Sequence, residues 1–472
     1  MIEHSLLQQR MRRGTRSVRG ALAAPLALCL AGPLAAQPAR EARPALRLAD
    51  VLQAVDAHAF APAAARADAD AARADRTATL QGLLPALRVE GGTLRTTDPI
   101  GVFGARLRQR AVTQADFDPN RLNRPEALTL TTGAIVLEQP VFAPQALLGR
   151  RAAGLAADAS AALADHTSQQ ARLEAAAAYY GAVVARAGVA ALDSALAAGR
   201  AHVAQATTLE RNGVVTRSDM LLAQVRVGEL EAQRARAAGD ARIARLGLAL
   251  QMGLPGDTSA SLPVVLPSTA TITALVDAGW PHAVGAAVRR DVEAAQLGAR
   301  AARADVQRTN GSWIPTVGAM LRNDWATVDQ PFGGSPFWTV GVMASWQLLR
   351  GGADLADRER ATARARAAAE RASGAAAHAS LEATQARIRR DVAIERLAIA
   401  DRSLVQAQEA LRLVQRRYDG GLAAITELLD AAAARSAADL ASVAARHEAL
   451  VALAAERTAL GLDLTPLLAL DR

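Results

Sequence analysis

The sequence has no lysine, so all 54 of its basic residues are arginine. That absence excludes a phosphate loop built on a Gly-Lys-Ser/Thr lysine, protein-kinase chemistry and any Schiff-base mechanism. A single cysteine, Cys29, excludes an intramolecular disulfide and a multi-cysteine zinc site. Aromatic residues make up only 3% of the chain, too few for the usual aromatic-rich enzyme core. The seven histidines are scattered with no His-x-x-x-His pair, and no Gly-x-Ser-x-Gly occurs. No catalysis, cofactor or metal is expected.

What is present is alanine and arginine, in 472 residues that are 51% hydrophobic and 21% charged. Such a composition favours long helices over a compact catalytic domain. The net charge of +8 comes from arginines interspersed with acids throughout the chain. That is the pattern of solvated helix faces, so nucleic acid is not an expected partner.

Arg10, Arg12, Arg13, Arg16 and Arg19 precede an apolar stretch from Ala21 to Leu34, and Ala35 and Ala36 stand before Gln37. Basic, then apolar, then small is the order of a secretory signal peptide, expected over residues 1–36. Its removal takes away five arginines and Glu3 and halves the basic excess to +4. Lipidation of Cys29 would need a small residue before it, where Leu28 stands. Downstream, no apolar run of about 18 residues stands out as a membrane helix. An exported chain of this kind that crosses a membrane is expected to do so by strands.

The chain repeats itself. Ala-Ala-Arg-Ala-Asp occurs at 71–75 and again at 301–305, and Leu84-Pro85 is matched by Ile314-Pro315 at the same offset of 230. Gln139-Pro140-Val141-Phe142 pairs with Trp346-Gln347-Leu348-Leu349, and Gly213 with Gly421. Pro140 and Gly213 are 73 residues apart, and Gln347 and Gly421 are 74. Ordered landmarks at preserved spacing define two structural repeats, 37–252 and 272–472. Residues 253–271, dense in Gly, Pro, Ser and Thr, form a linker between them.

Each repeat reads as helix, hairpin, long helix, turn, helix. The long helices, about Ala143 to Leu209 and Ala353 to Tyr418, would each be roughly 100 Å long. Such lengths need coiled-coil partners. Leu397, Leu404, Leu411 and Tyr418 recur every seven residues, with Ala400, Ala407 and Val414 three places on. Leu173, Tyr180 and Ala187, with Ala176, Val183 and Ala190, make the stripe of the first repeat.

The extended segments alternate instead. Trp338, Val340, Val342, Ala344, Trp346 and Leu348 interleave with Thr339, Gly341, Met343, Ser345 and Gln347, a strand with one apolar face. Its partner is Thr316 to Trp325, and the first repeat offers Leu87 to Leu94 and Leu128 to Gln139. Of the five Trp, three Tyr and six Phe, six lie within 313–346, as membrane-interface girdles would require. A soluble hairpin packed on helices would share the alternation. Four strands cannot close a barrel around a channel, so several copies must share one. Three copies give twelve strands, though spacing alone allows other multiples.

These features resemble the outer-membrane efflux protein (TolC) family. The closest likeness is the second turn, Arg417-Tyr418-Asp419-Gly420-Gly421 through Glu427-Leu428-Leu429-Asp430-Ala431, similar to the family's R-Y-x-x-G run with its following acid. Glu210-Arg211-Asn212-Gly213 through Ser218-Asp219-Met220 is a looser version without the tyrosine. The resemblance implies a mainly α chain with a small β part. Long antiparallel coiled-coil helices would form a periplasmic α-helical barrel, continued by a shared twelve-stranded β-barrel in the outer membrane of a homotrimer. It implies the channel of a tripartite efflux or type I secretion system, with a periplasmic adaptor (membrane fusion) protein, an inner-membrane transporter and outer-membrane lipid as partners.

By motif position, Glu427 and Asp430 match the acids that ring the family's closed tip, and Tyr418, Ser218 and Asp219 match its closing links. Gly213 and Gly421 mark the two turns. Ala423 stands where the family can have an arginine, and Arg217 is the nearby substitute. Helix dipoles alone would also favour acids at Glu427 and Asp430. The other reading is a periplasmic coiled-coil adaptor or structural protein without a channel. An adaptor would carry one helical hairpin flanked by small β domains, and this chain carries two.

Overall fold

The computed structural model describes residues 45–256, 261–264, 266–277 and 289–471. The segment expected to be a signal peptide, with Cys29, lies outside them. Two short helices, α1 (Leu48–His58) and α2 (Phe60–Ala78), lead into β1 (Ala86–Thr96). The connection to β2 (Leu128–Phe142) holds α3 (Pro99–Arg108) and α4 (Pro119–Asn123). Then come the 68-residue α5 (Pro144–Arg211) and α6 (Arg217–Gln251). The second half runs α7 (Thr269–Asp277), α8 (Arg290–Asn310), β3 (Thr316–Thr327), β4 (Phe337–Ser345), the 67-residue α9 (Ala353–Asp419) and α10 (Ile425–Ala459).

Pro144 opens α5 at a first-turn position, where its missing N–H costs nothing. At about 1.5 Å per residue, α5 and α9 are each about 100 Å long. Both end on a glycine in the left-handed region, Gly213 at φ 73° and Gly421 at φ 71°. A side chain would be strained there, which is why glycine stops both helices.

Lateral packing makes one helical layer. On one side of its middle, α2, α5, α8 and α9 lie in that order; on the other the order is α6, α5, α10, α9. The expected stripe on α9 is the one that packs. Leu397 and Tyr418 are buried, and Ala400, Leu404, Ala407, Leu411 and Val414 are half-buried. At the middle, Val51 and Val55 of α1, Tyr180 and Val183 of α5, Leu397, and Leu450 and Leu453 of α10 form the main core. Tyr179 and Tyr180 meet edge to face at 5.3 Å.

One expectation needs correcting. α5 is long and apolar enough, by length and composition, to cross a membrane. The sequence disguises this because the apolar character is alanine broken by single polar residues. Its packing against α1, α2, α6, α8 and α10 places α5 in the helical layer.

The four strands form one antiparallel sheet in the order β1-β2-β3-β4. Register assigns its faces. Ala134 of β2 sits between Glu90 and Asp324, and Val136 between Arg88 and Arg322. This face is polar: Arg88 binds Glu138 at 2.5 Å, and Arg322 reaches Glu90 at 3.0 Å and Asp324 at 2.8 Å. The opposite face carries Leu87, Val89, Ile135, Leu137, Leu321, Trp338, Val340 and Val342, all exposed. An exposed apolar sheet face backed by an ionic one is the signature of a barrel wall with lipid outside and water inside.

Aromatics lie at both ends of this wall. Trp325, Trp338 and Phe332 gather at the loop end, where the Phe332 ring stacks edge-on against Trp325 at 5.4 Å. At the helix end, Trp346 Nε1 donates to the Trp313 carbonyl at 3.1 Å. Eight residues separate Trp338 from Trp346, about 26 Å along the chain if extended and about 20 Å along the normal at a barrel tilt of about 40°, somewhat less than an apolar band of about 25 Å.

Three details differ from expectation. β4 ends at Ser345, so Trp346 to Leu349 does not extend it as Gln139 to Phe142 extends β2. Gly351 and Gly352, at φ 58° and 86°, turn the chain into α9 there. The linker assigned to 253–271 becomes helical from Thr269, because Ser268 Oγ accepts the Thr271 N–H at 3.1 Å and starts α7. The β1–β2 connection, read as a plain hairpin loop, is a folded insertion.

Candidate functional site

The ends of both long hairpins meet far from the sheet, and they bring the two turns together. Val203, Ala206 and Leu209 of α5, Met220 and Ala223 of α6, Leu411, Val414 and Tyr418 of α9, and Ile425, Leu428 and Leu429 of α10 make one apolar cluster. The α9 heptad stripe ends here with Leu411, Val414 and Tyr418, and Leu428 is fully buried.

The two turns share a backbone plan. Val214 N–H donates to the Leu209 carbonyl and Leu422 N–H to the Arg417 carbonyl, each reaching back around its left-handed glycine. Their offset of 208 makes Thr216 the counterpart of Ala424 and Asp219 the counterpart of Glu427. The counterparts then do different work. Thr216 caps α6: its N–H donates to Asp219 Oδ2 at 3.0 Å and its Oγ1 accepts from Asp219 N–H at 3.3 Å. Ser218 Oγ lies 2.6 Å from Thr216 Oγ1. Ala424 cannot cap α10, so Glu427 is left to pair with Arg417, Nη1 to Oε2 at 3.3 Å. Arg417 also donates to the Leu422 carbonyl at 3.2 Å.

Among the candidates, Arg217, Ser218 and Asp430 are exposed, and Arg217 forms no ion pair among the described residues. Asp430 stands one turn after Glu427 on α10. Tyr418 is 5% exposed, and its buried hydroxyl has no hydrogen-bond partner among the described residues. Burial, and then the carboxylates of Asp219 and Asp419, push that hydroxyl above its ordinary range. Asp219 is therefore an electrostatic neighbour of Tyr418, while its hydrogen bonds go to Thr216.

Sequence reasoning did not single out Arg417 or the Gln205–Asp419 contact. Gln205 Nε2 of α5 donates to Asp419 Oδ1 at 3.0 Å and fastens the first hairpin to the second. The half-buried His202, one helical turn earlier, also feels Asp419. The arginine ten positions before Glu427, across a glycine turn, was the available signal.

The chain thus presents two open layers with free edges, a sheet with one apolar and one ionic face and a layer of coiled-coil helices. Residues 286–462 match the family described as outer membrane efflux protein. That match covers the greater part of the second repeat. Among curated proteins, none matches this sequence. Among solved structures, the fold is similar to that of a membrane protein from Pseudomonas aeruginosa, with a TM-score of 0.72 at 20% identity, covering 88% of this chain and 92% of that one. It is also similar to the outer membrane protein VceC from Vibrio cholerae, with a TM-score of 0.71 at 19% identity, covering 88% and 96%. The Campylobacter jejuni CmeC outer membrane channel is similar at TM-score 0.71 and 14% identity, covering 88% and 85%. The fold thus extends the likeness across the first repeat.

Proposed function

We propose that three copies of this chain close into one outer-membrane channel, which passes cargo delivered by an inner-membrane transporter and a periplasmic adaptor. One observation carries the reading: the molecule is open at the same two edges in both layers. β1 and β4 are free edges of the sheet, and α2 with α6 and α9 are free edges of the helical layer. Unpaired strand edges in a membrane are too costly to leave open. With four alternating strands per copy, β4 of one copy meets β1 of the next antiparallel, so a head-to-tail ring closes without a mismatch. Three copies supply twelve strands.

The helical edges carry the matching apolar surface. Leu381, Ile388, Val392, Ile399 and Leu413 of α9 are exposed at spacings of four and seven or its multiple, a second seam turned away from the intrachain one. Leu222, Val225, Ile243, Leu246 and Leu250 of α6 are exposed on the opposite edge. Such seams suit the neighbouring copies of a ring.

The tip cluster is the gate in this reading. Glu427 and Asp430 form a carboxylate ring, Arg417 tethers Glu427, and the Tyr418 hydroxyl donates across to a neighbouring copy. Ser218 and Arg217 face the adjoining hairpin. A ring of carboxylates concentrates cations and is blocked by those that bind tightly. In planar bilayers the purified protein should form channels blocked by divalent cations. Glu427→Ala with Asp430→Ala should relieve that block, and unchanged block would put the ring elsewhere. A protein that stays soluble and monomeric after cell breakage would instead favour the channel-less periplasmic coiled coil.

A further inference from the structure

Residues 97–127 join β1 to β2 at the end of the sheet away from the helices, and they are folded rather than merely long. Asp98 caps α3, accepting the Gly101 N–H at 2.6 Å, and Asp118 caps α4, accepting the Asn120 N–H at 2.9 Å. Phe103 and Phe117 meet edge to face at 5.7 Å inside the insertion. Gln109 Nε2 donates to the carbonyls of Thr129 and Thr327 at 3.0 and 3.1 Å, which pins the insertion to the ends of β2 and β3.

The insertion forms an open cavity of about 290 Å³ whose lining includes Arg106, Arg121 and Arg124 with Asp116 and Glu126. Asp116 is 8% exposed and accepts from Thr113 N–H at 2.7 Å and Thr113 Oγ1 at 2.9 Å. Those bonds from the Thr113 backbone and hydroxyl hold its carboxyl below the usual range, so it stays ionised. Arg106 Nη1 lies 3.1 Å away. The Asp116 charge therefore orients Arg106, which forms no other ion pair among the described residues. Arg121 and Arg124 form no ion pair among the described residues. Three guanidinium forks around a preformed cavity are matched to a tetrahedral dianion, which each fork can bind through two parallel N–H donors.

We propose that this cavity binds a phosphate group presented at the outer surface. The assignment rests on the channel reading only in taking this end of the sheet as the outward one. Phosphorylated glycolipid headgroups of the outer leaflet and soluble phosphates share this chemistry.

The experiment uses the full chain purified in nonionic detergent. Inorganic pyrophosphate is titrated calorimetrically in one arm. In the other, the protein is placed in nanodiscs holding either a phosphorylated glycolipid or its dephosphorylated form. Arg121→Ala with Arg124→Ala should weaken binding at least about tenfold, the loss expected for charged hydrogen bonds. Arg108→Ala with Arg110→Ala removes the same charge from the same insertion outside the cavity and should leave binding unchanged. Pyrophosphate binding identifies a soluble ligand, and a preference for the phosphorylated nanodisc alone identifies a headgroup; either supports the site. No binding in both arms, or equal loss in both double variants, overturns it. Conductance of the same preparations in bilayers tests the channel separately.

Discussion

Arg417 and Glu427 face each other across the second tip turn, Nη1 to Oε2 at 3.3 Å, while their counterparts in the first turn make no such pair. Arg417 lies in the last turn of α9 and Glu427 in the first turn of α10, where the helix dipoles favour a cation and an anion respectively. The counterpart of Arg417 is Leu209, and Asp219 is engaged by Thr216. One hairpin is closed by a cap and the other by an ion pair open to solvent.

That difference makes the second hairpin the salt-sensitive one. The pair is about half exposed on both sides, so it contributes about 0–1 kcal/mol per chain. Arg417→Ala should raise resting single-channel conductance a few-fold with little change in thermal stability. Exchanging the charges, Arg417→Glu with Glu427→Arg, should recover only part of the closure, because both helix dipoles then oppose the pair. Conductance as tightly closed in Arg417→Ala as in the parent would remove the pair from the gate.

Tyr418 tests whether the tip is tied between copies. Its hydroxyl is buried without a partner among the described residues, an arrangement that costs about 1–3 kcal/mol if nothing else satisfies it. A neighbouring copy can supply the acceptor. Tyr418→Phe should then raise resting conductance in the assembled channel, with each of three lost bonds worth about 1 kcal/mol. A hydroxyl left unpaired in the assembly would make the same variant neutral or more stable, with conductance unmoved. Asp219→Ala is a poorer probe, since it also breaks the α6 cap at about 1 kcal/mol.

The helices and strands were legible because two periods carry them. The seven-residue stripe from Leu397 to Tyr418 packs as read, and alternation from Trp338 to Ala344 gives the apolar sheet face. The tip residues proposed as a gate were singled out only by motif position. Glu427 and Asp219 look alike in sequence, and their different partners depend on two differences, Thr216 against Ala424 and Leu209 against Arg417. The folded insertion over 97–127 was hidden because its helices are short and capped by isolated aspartates. The apolar window of α5 was hidden because alanine does not form a conspicuous hydrophobic run.

Acid should loosen the tip through His202. Burial holds its imidazole below the ordinary value of 6.5, and Asp419 opposes that shift only in part. The folded tip therefore prefers the neutral ring. Above the unfolded pKa both states are neutral and nothing is lost; as pH falls through 6.5 the unfolded ring takes a proton more readily, and the packed tip loses stability. Hydrogen exchange of residues 203–216 and 411–424, corrected for intrinsic rates, should be faster at about pH 5.5 than at about pH 7.5. His202→Gln should remove that difference, and an equal acid response in the variant would assign it to other groups.

Two adjacent residues of β4 give the sharpest test of which sheet face meets lipid. Thr339 pairs with Arg322 on the ionic face, and Val340 pairs with Leu321 on the apolar one. Strand geometry points neighbouring side chains to opposite faces, so the same substitution at each position should do different things. Val340→Arg places a guanidinium in hydrocarbon and should cost about 2–4 kcal/mol near the midplane, seen as lost insertion and a lower urea midpoint in refolding into bilayers. Thr339→Arg places it in water beside Arg322 and Asp324, where insertion should be unaffected and anion permeability should rise. If Thr339→Arg blocked insertion and Val340→Arg altered selectivity, the faces would be reversed. Equal tolerance of both would mean that β4 does not border lipid and that the sheet is not a barrel wall.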